Sequence, residues 1–195
     1  MTSTLIRVTF FTVAMFVRFP EVAHTQVKSA SWLDNSKPVS WNKSGRPVPA
    51  APRVRGAIDP RCRDLARPAE RPEDKLLRQQ GWDLVGAYQG GWQILVIRGT
   101  ASYDGMCRPR QYQEFVFVRG VFAGTLSPQA MDSRTDGALS RVYLQNNSRL
   151  TAEYARYAPT DPLCCPSRTT RVELEIAHDG PVVRPLSAST SLNKQ

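Results

Sequence analysis

The sequence predicts an α+β fold that is mostly antiparallel β: a curved sheet of successive hairpins, preceded by a short N-terminal helix and stapled by disulfides. After Gly81, apolar and polar residues alternate with a period of two in four pairs of segments, and a turn joins each pair. Four cysteines and an apolar N-terminal segment indicate an exported protein, because disulfides persist in oxidising compartments.

Residues 1–26 are predicted to be an export signal. Arg7 is the only charge before the mostly apolar run 8–17, which suits a signal peptide and is too short to span a bilayer. The best cleavage site lies around Ala23, and an uncleaved anchor is the alternative. The protein is therefore expected to be periplasmic, associated with the cell envelope, or secreted.

Residues 27–72 are predicted to form a Pro-rich basic linker, because no apolar period persists there. Lys and Arg outnumber Asp and Glu 13 to 7 in residues 1–75 and 13 to 10 in the remainder. This dispersed excess favours peripheral contact of the linker with anionic surfaces and argues against nucleic acid as a partner. Trp32 and Trp41 are the linker's candidates for docking on the domain.

Residues 73–187 are predicted to be the folded domain, and residues 188–195 a disordered tail. The domain begins with a short helix over Glu73–Gln80, whose acidic residues come first and basic ones later, as the helix dipole favours. Gly81 ends it. A disulfide from Cys62 would pin the segment before this helix to the domain.

Four hairpins follow the helix. Their predicted turns are Gly90-Gly91, Arg119-Gly120, Asn146-Asn147-Ser148 and His178-Asp179-Gly180. In the last hairpin Val172, Leu174 and Ile176 alternate with charged residues, which indicates a sheet with one wet face.

Three longer connections, 102–113, 127–139 and 157–169, interrupt this regularity. Function in such proteins usually lies in loops whose ends are fixed by the sheet. Arginines and aspartates are interleaved along the connections, a pattern typical of loop-fixing ion pairs, although the arginines could also hold a carboxylate or phosphate of a ligand or partner. The candidate surface consists of Asp104, Arg108, Arg110, Asp132, Arg134, Asp136, Arg156, Asp161 and Arg168.

Several motifs in these connections resemble the LppP/LprE lipoprotein family over roughly residues 76–178. The most specific is the run Asp161-Pro-Leu-Cys-Cys-Pro-Ser167, and Asp104-Gly-Met-Cys-Arg-Pro109 and Phe122-Ala-Gly-Thr-Leu-Ser-Pro128 accompany it. The resemblance implies an envelope-associated protein without a known enzymatic mechanism. The sequence departs from the lipoprotein pattern because no cysteine lies at the signal cleavage site, so soluble periplasmic or secreted export is expected.

The cysteines are expected to be structural. Because a bond between the adjacent Cys164 and Cys165 would strain the peptide joining them, each is predicted to take a distant partner, either Cys107 or Cys62. The sequence does not decide which pairs with which. A zinc site and a redox-active bond between the adjacent cysteines are the alternatives.

The residues give little support for catalysis, and the protein is expected not to be an enzyme. His178, in a hairpin turn, has no serine or cysteine nearby in sequence, and no phosphate-binding loop, dinucleotide fingerprint or nucleophile elbow occurs. No metal and no other cofactor is predicted. The expected role is a monomeric structural or partner-binding domain that contacts an envelope component or another protein. A small-ligand carrier that uses the curved sheet as a cup is the alternative, followed by a carboxylate-based hydrolase.

Overall fold

The structure is a computed structural model that describes residues 31–54 and 59–193. The predicted export signal lies outside the described residues. A single 3-10 turn spans Trp32–Asp34, and two helices follow it, α1 over Pro60–Arg63 and α2 over Pro72–Gln79. The strands are β1 Asp83–Leu84, β2 Gln89–Gly91, β3 Ile94–Tyr103, β4 Pro109–Val118, β5 Val121–Thr125, β6 Ala138–Asn146, β7 Arg149–Arg156, β8 Arg168–Ala177 and β9 Val182–Leu192.

The strands form two antiparallel sheets. The first has the order β1-β3-β4-β5, with β2 also pairing with β3, and the second has the order β6-β7-β8-β9. Neighbouring strands are mostly sequential hairpin partners, as expected for short turns. The prediction of a mostly antiparallel β fold with a short helix is confirmed, and the successive hairpins are divided between two sheets.

Three hairpins turn where the sequence predicts. Arg119 and Gly120, both at positive φ, join β4 to β5. Asn147 and Ser148 join β6 to β7, and the turn that contains Gly180 joins β8 to β9. Gly120 and Gly180, at φ values of 79° and 66°, adopt this backbone without a steric cost, and the sequence signal in their turns is therefore direct.

The first hairpin is shifted along the chain. Gly90 and Gly91 lie in strand β2, and the turn itself is Trp92-Gln93, with φ values of 50° and 64°. A type I′ turn needs positive φ at both central residues, and neither tryptophan nor glutamine is typical of these positions. Strands β3 and β4 also extend further than predicted, which shortens the connection between them to Asp104–Arg108.

The main core lies between the two sheets. It is formed by Leu33, Ile94, Val96, Tyr112, Val116, Val118, Ala123, Leu126, Met131, Leu139, Val142, Leu150, Ala152, Tyr154, Val172, Leu174, Ile176, Val183 and Ala188. These side chains fill the space between the sheets. The outer face of the second sheet carries Arg171, Glu173 and Glu175, as the alternation predicts.

A second core covers the other face of the first sheet. Phe115 and Phe117 point into it, while Val116 and Val118 of the same strand point into the main core. Helix α2 contributes Leu77 to this second core. The first sheet is therefore buried on both faces.

Residues 31–54, called here the N-terminal strap, pack along both cores. Leu33 and Val48 are 1% and 6% exposed. The Asn42 side chain donates to the carbonyl oxygens of Thr125 in β5 and Val183 in β9, at 2.9 and 3.0 Å. The strap thus joins one strand of each sheet, and the prediction of a linker is wrong for residues 31–54. Its contacts come from widely spaced anchors and irregular backbone, which leave no period in the sequence.

The folded part of the chain extends further towards the C-terminus than predicted. Strand β9 continues to Leu192, whose partner across the ladder is Arg168. The prediction of disorder from residue 188 is therefore wrong up to this point, because the long partner strand β8 offers a full ladder of backbone hydrogen bonds. Residues 194–195 lie outside the described part of the chain.

The disulfides also differ from the predicted pairing. Cys62 of α1 bonds Cys107, and Cys164 bonds its neighbour Cys165. The fold decides this: the Cys62 sulfur lies against the first connection, 3.8 Å from the Asp104 carbonyl oxygen, where Cys107 is the cysteine within reach. The adjacent pair then has only itself as a partner. The pinning of the segment around Cys62 to the domain is confirmed.

Candidate functional site

Three connections meet at one end of the two sheets. The first is Asp104–Arg108 between β3 and β4, the second is 126–137 between β5 and β6, and the third is 157–167 between β7 and β8. Strands β3, β5 and β7 all end here, because the intervening hairpins return the chain to the same end. These three segments are called the loop cluster.

Two buried tyrosines anchor the second connection. The Tyr154 hydroxyl donates to the Leu126 carbonyl oxygen at 2.9 Å, and the Tyr112 hydroxyl donates to the Gly137 carbonyl oxygen at 2.5 Å. The Leu139 amide donates back to the Tyr112 oxygen at 3.0 Å. Burial raises the pKa of both tyrosines, so that they stay protonated donors. Both ends of the connection are therefore held by the core.

A buried ion pair supports the same connection. Arg98 in β3 pairs with its cross-strand partner Glu114 in β4 and donates to the Leu139 carbonyl oxygen at 2.9 Å. Burial raises the pKa of Glu114, and the Arg98 charge opposes this change. The pair thus links the first sheet to the start of the second.

Contacts between connections come from arginines and aspartates. Arg110 lies 3.4 Å from the Asp132 carboxylate, which joins β4, beside the first connection, to the second connection. Arg134 donates to the Asp161 carbonyl oxygen at 2.6 Å, and its guanidinium lies 4.4 Å from the centre of the Tyr157 ring. The second connection is therefore joined to the start of β4 and to the third connection by side chains and not by the predicted disulfides.

The remaining aspartates hold the loops internally. Asp104 pairs with Arg108 at 2.6 Å and also accepts from the Met106 and Arg108 amides. Burial opposes ionisation of Asp104, but the hydrogen bonds from Arg108 and Met106 outweigh it and lower its pKa. Asp136 accepts from the Asp132 amide at 2.9 Å. These contacts stabilise turns.

Asp161 fixes the third connection in the same way. Its carboxylate accepts from the Ala158 amide at 2.7 Å and from the Ser167 amide at 2.9 Å. The Ala158 bond, followed by the Ser167 bonds, lowers the pKa of Asp161. A carboxylate with a lowered pKa is a poor general acid at neutral pH.

A cleft of about 590 Å³ opens between the strap and the second and third connections. This Trp32 cleft is lined by Ser31, Trp32, Asp34, Pro128, Gln129, Met131, Thr135, Asp136, Arg156, Tyr157, Pro159 and Arg168. Trp32 packs edge-on against Trp41 and Tyr154, with ring centres 5.0 and 5.6 Å apart. The cleft therefore has a fixed aromatic wall.

Two arginines from neighbouring strands lie on the cleft. Arg156, whose side chain is 8% exposed, pairs with Asp34 at 3.1 Å and donates to Thr170 at 3.2 Å. Arg168 is its partner across the β7–β8 ladder. The ion pairs of residues 31–54 and 59–193 do not include Arg168. Its charge is thus available to a ligand or a partner.

The structure divides the nine predicted surface residues into two groups. Asp136, Arg156 and Arg168 line the Trp32 cleft. The loop-fixing group comprises Asp104, Arg108, Arg110, Asp132, Arg134 and Asp161. Sequence reasoning missed Asp34 and Gln129 as cleft residues. The one sequence feature that indicated that the strap contributes to the cleft was Trp32, a large apolar residue in an otherwise polar, Pro-rich segment.

One comparison with known proteins matches part of the chain to a family. Residues 91–179 match the LppP/LprE lipoprotein family. The comparisons with curated proteins and with solved structures found no match.

The LppP/LprE match confirms the resemblance seen in the sequence and covers the whole loop cluster. It spans β3 to β8 and includes Cys107, Cys164 and Cys165, but not the strap, α1, α2 or β9. None of the helices among residues 31–54 and 59–193 has the length and apolar character to cross a membrane. Over the same residues, no group of three or more His, Cys, Asp or Glu side chains is placed to hold a metal ion.

Proposed function

We propose that this protein is an exported, non-enzymatic domain of the cell envelope that binds a partner at the Trp32 cleft. The family match supports the association with the envelope, since the family is one of lipoproteins. One observation carries the binding role: the strap and two connections, each fixed by hydrogen bonds, line a cleft with an aromatic wall and an arginine outside any ion pair of the described residues.

The lining of the cleft indicates the chemistry of the partner. Trp32, Tyr157 and Pro159 offer apolar and aromatic surface, while Arg168 offers a charge that can bind an anion. Arg156 is already neutralised by Asp34. The partner is therefore an envelope component or protein that presents a carboxylate or phosphate beside an apolar group. Contact of the basic segment 27–72 with anionic surfaces stays a prediction.

Retention of envelope components on the immobilised protein tests this role. The informative variant is Arg168→Glu, and the matched control is Arg171→Glu, which makes the same charge change on the outer face of the same strand. We expect one component to bind the wild type and the control equally, and to bind Arg168→Glu about tenfold more weakly, a loss of about 1.4 kcal/mol.

Both variants must first show the wild-type circular dichroism and thermal midpoint. Equal retention by the two variants would place the binding surface away from the cleft. A component that binds Arg171→Glu weakly and Arg168→Glu normally would assign the binding to the outer face of the second sheet.

A further inference from the structure

The bond between Cys164 and Cys165 lies at the exposed tip of the third connection. Both cysteines are exposed, and so is Leu163, at 53%. A thiolate must reach a sulfur atom directly to exchange with a disulfide, so exposure of this kind permits the reaction. The other disulfide is less accessible, because Cys62 is 0% exposed beneath the first connection.

This bond contributes little to stability. A disulfide stabilises a protein mainly by closing a loop of the unfolded chain, and the stabilisation grows with the length of that loop. Cys62 and Cys107 are separated by 45 positions, whereas Cys164 and Cys165 are separated by 1. The Cys62–Cys107 bond is thus a structural staple, and the Cys164–Cys165 bond is not.

The third connection is also held by contacts that do not involve this bond. Asp161 accepts two backbone hydrogen bonds across the base of the loop, and Arg134 donates to the Asp161 carbonyl oxygen. Asn193 donates from its side chain to the Pro166 carbonyl oxygen at 2.7 Å and from its amide to Ser167 at 2.9 Å. Opening the bond leaves all of these contacts in place.

We infer that Cys164–Cys165 is a thiol–disulfide exchange site, which dithiol reductants open to a pair of adjacent thiols while the fold and the Cys62–Cys107 bond persist. One thiolate of the reductant attacks a sulfur of the pair, which breaks the S–S bond and forms a mixed disulfide. The second thiolate of the reductant then attacks the reductant's own sulfur in the mixed disulfide. This closes a ring in the reductant and releases the cysteine that was bonded to it. Two electrons and two protons pass to the protein, and the reductant becomes a cyclic disulfide.

A titration of the oxidised full-length protein with dithiothreitol tests this inference. Free thiols are alkylated at each concentration and located by peptide mapping, and near-ultraviolet circular dichroism follows the packing. We expect Cys164 and Cys165 to be alkylated at a dithiol concentration about tenfold or more below that which opens Cys62–Cys107, with an unchanged near-ultraviolet spectrum. Loss of both disulfides together, or only as the spectrum collapses, would overturn the inference.

Phenylarsine oxide gives an independent readout. Trivalent arsenic bridges two neighbouring thiols and releases water, so the selectively reduced wild type should take up one equivalent. The variant Cys165→Ser, with a single thiol at the tip, should take up none after the same treatment. Equal uptake by both proteins, or a map of the untreated protein in which Cys164 or Cys165 is bonded to another chain, would contradict the assignment.

Discussion

Replacing Arg98 by methionine is expected to lower the free energy of unfolding by about 3–4 kcal/mol. The change leaves the Glu114 side chain, which is 6% exposed, as a charge without a partner in the main core. Removing one member of a buried pair costs about 3–5 kcal/mol, and the lower part of that range applies because Arg98 itself is 31% exposed. The lost hydrogen bond to the Leu139 carbonyl oxygen is part of this effect. Urea denaturation measures it.

A double variant and a pH series separate charge from packing. In Arg98→Met/Glu114→Leu no buried charge remains, so we expect a free energy of unfolding within about 1 kcal/mol of the wild type. Burial raises the folded-state pKa of Glu114 above its ordinary value of 4.5, so ionisation of this group costs stability above that pH. The deficit of Arg98→Met should therefore narrow as the pH falls from neutral towards 4.5. A deficit below about 1 kcal/mol, or one that is the same at every pH, would refute the reasoning.

Three further changes test the strap, the last strand and the second connection. Asn42→Ala removes the side chain that joins β5 to β9, and urea denaturation should show a loss of about 2–3 kcal/mol; a loss under about 0.5 kcal/mol would mean that the strap does not join the sheets. Deleting residues 188–195 should lower the thermal midpoint, which removal of a disordered tail would leave unchanged. Tyr112→Phe removes the hydroxyl that holds the end of the second connection, and it should cost about 1–2 kcal/mol and speed amide exchange there. Unchanged exchange would show that another contact holds the connection.

The hairpins could be predicted because their turns carry local signals. Glycine at positions 120 and 180 adopts positive φ values of 79° and 66°, which other residues adopt at a cost, and flanking alternation marks the strands. The Trp92-Gln93 turn carries no such signal, since its positive φ values are imposed by the pairing of β2 with β3. A hairpin could therefore be placed from the sequence where the backbone of its turn requires a particular residue type.

The strap and the disulfides could not be predicted because they depend on the tertiary fold. Alternation along β4 places Phe117 and Val116 on opposite faces of the sheet, but it does not show that both faces are buried. The face that carries Phe117 is covered by α2 and the strap, which lie elsewhere in the sequence. Likewise, sequence spacing gives Cys107 several possible partners, and only the position of α1 against the first connection selects Cys62. The candidate site was predicted in part for the same reason: its loops are local, whereas Trp32 and Asp34 reach it from far along the chain.

Site-specific photocrosslinking tests the binding role of the Trp32 cleft most directly. A benzophenone side chain is placed at Gln129 in the cleft and, as the control, at Glu175 on the outer face of the second sheet. We expect a covalent adduct with an envelope component from position 129, whose yield below saturation falls about tenfold when Arg168→Glu is added, and none from position 175. An adduct that forms at position 175 instead, or one at position 129 whose yield is unchanged by Arg168→Glu, would contradict the account.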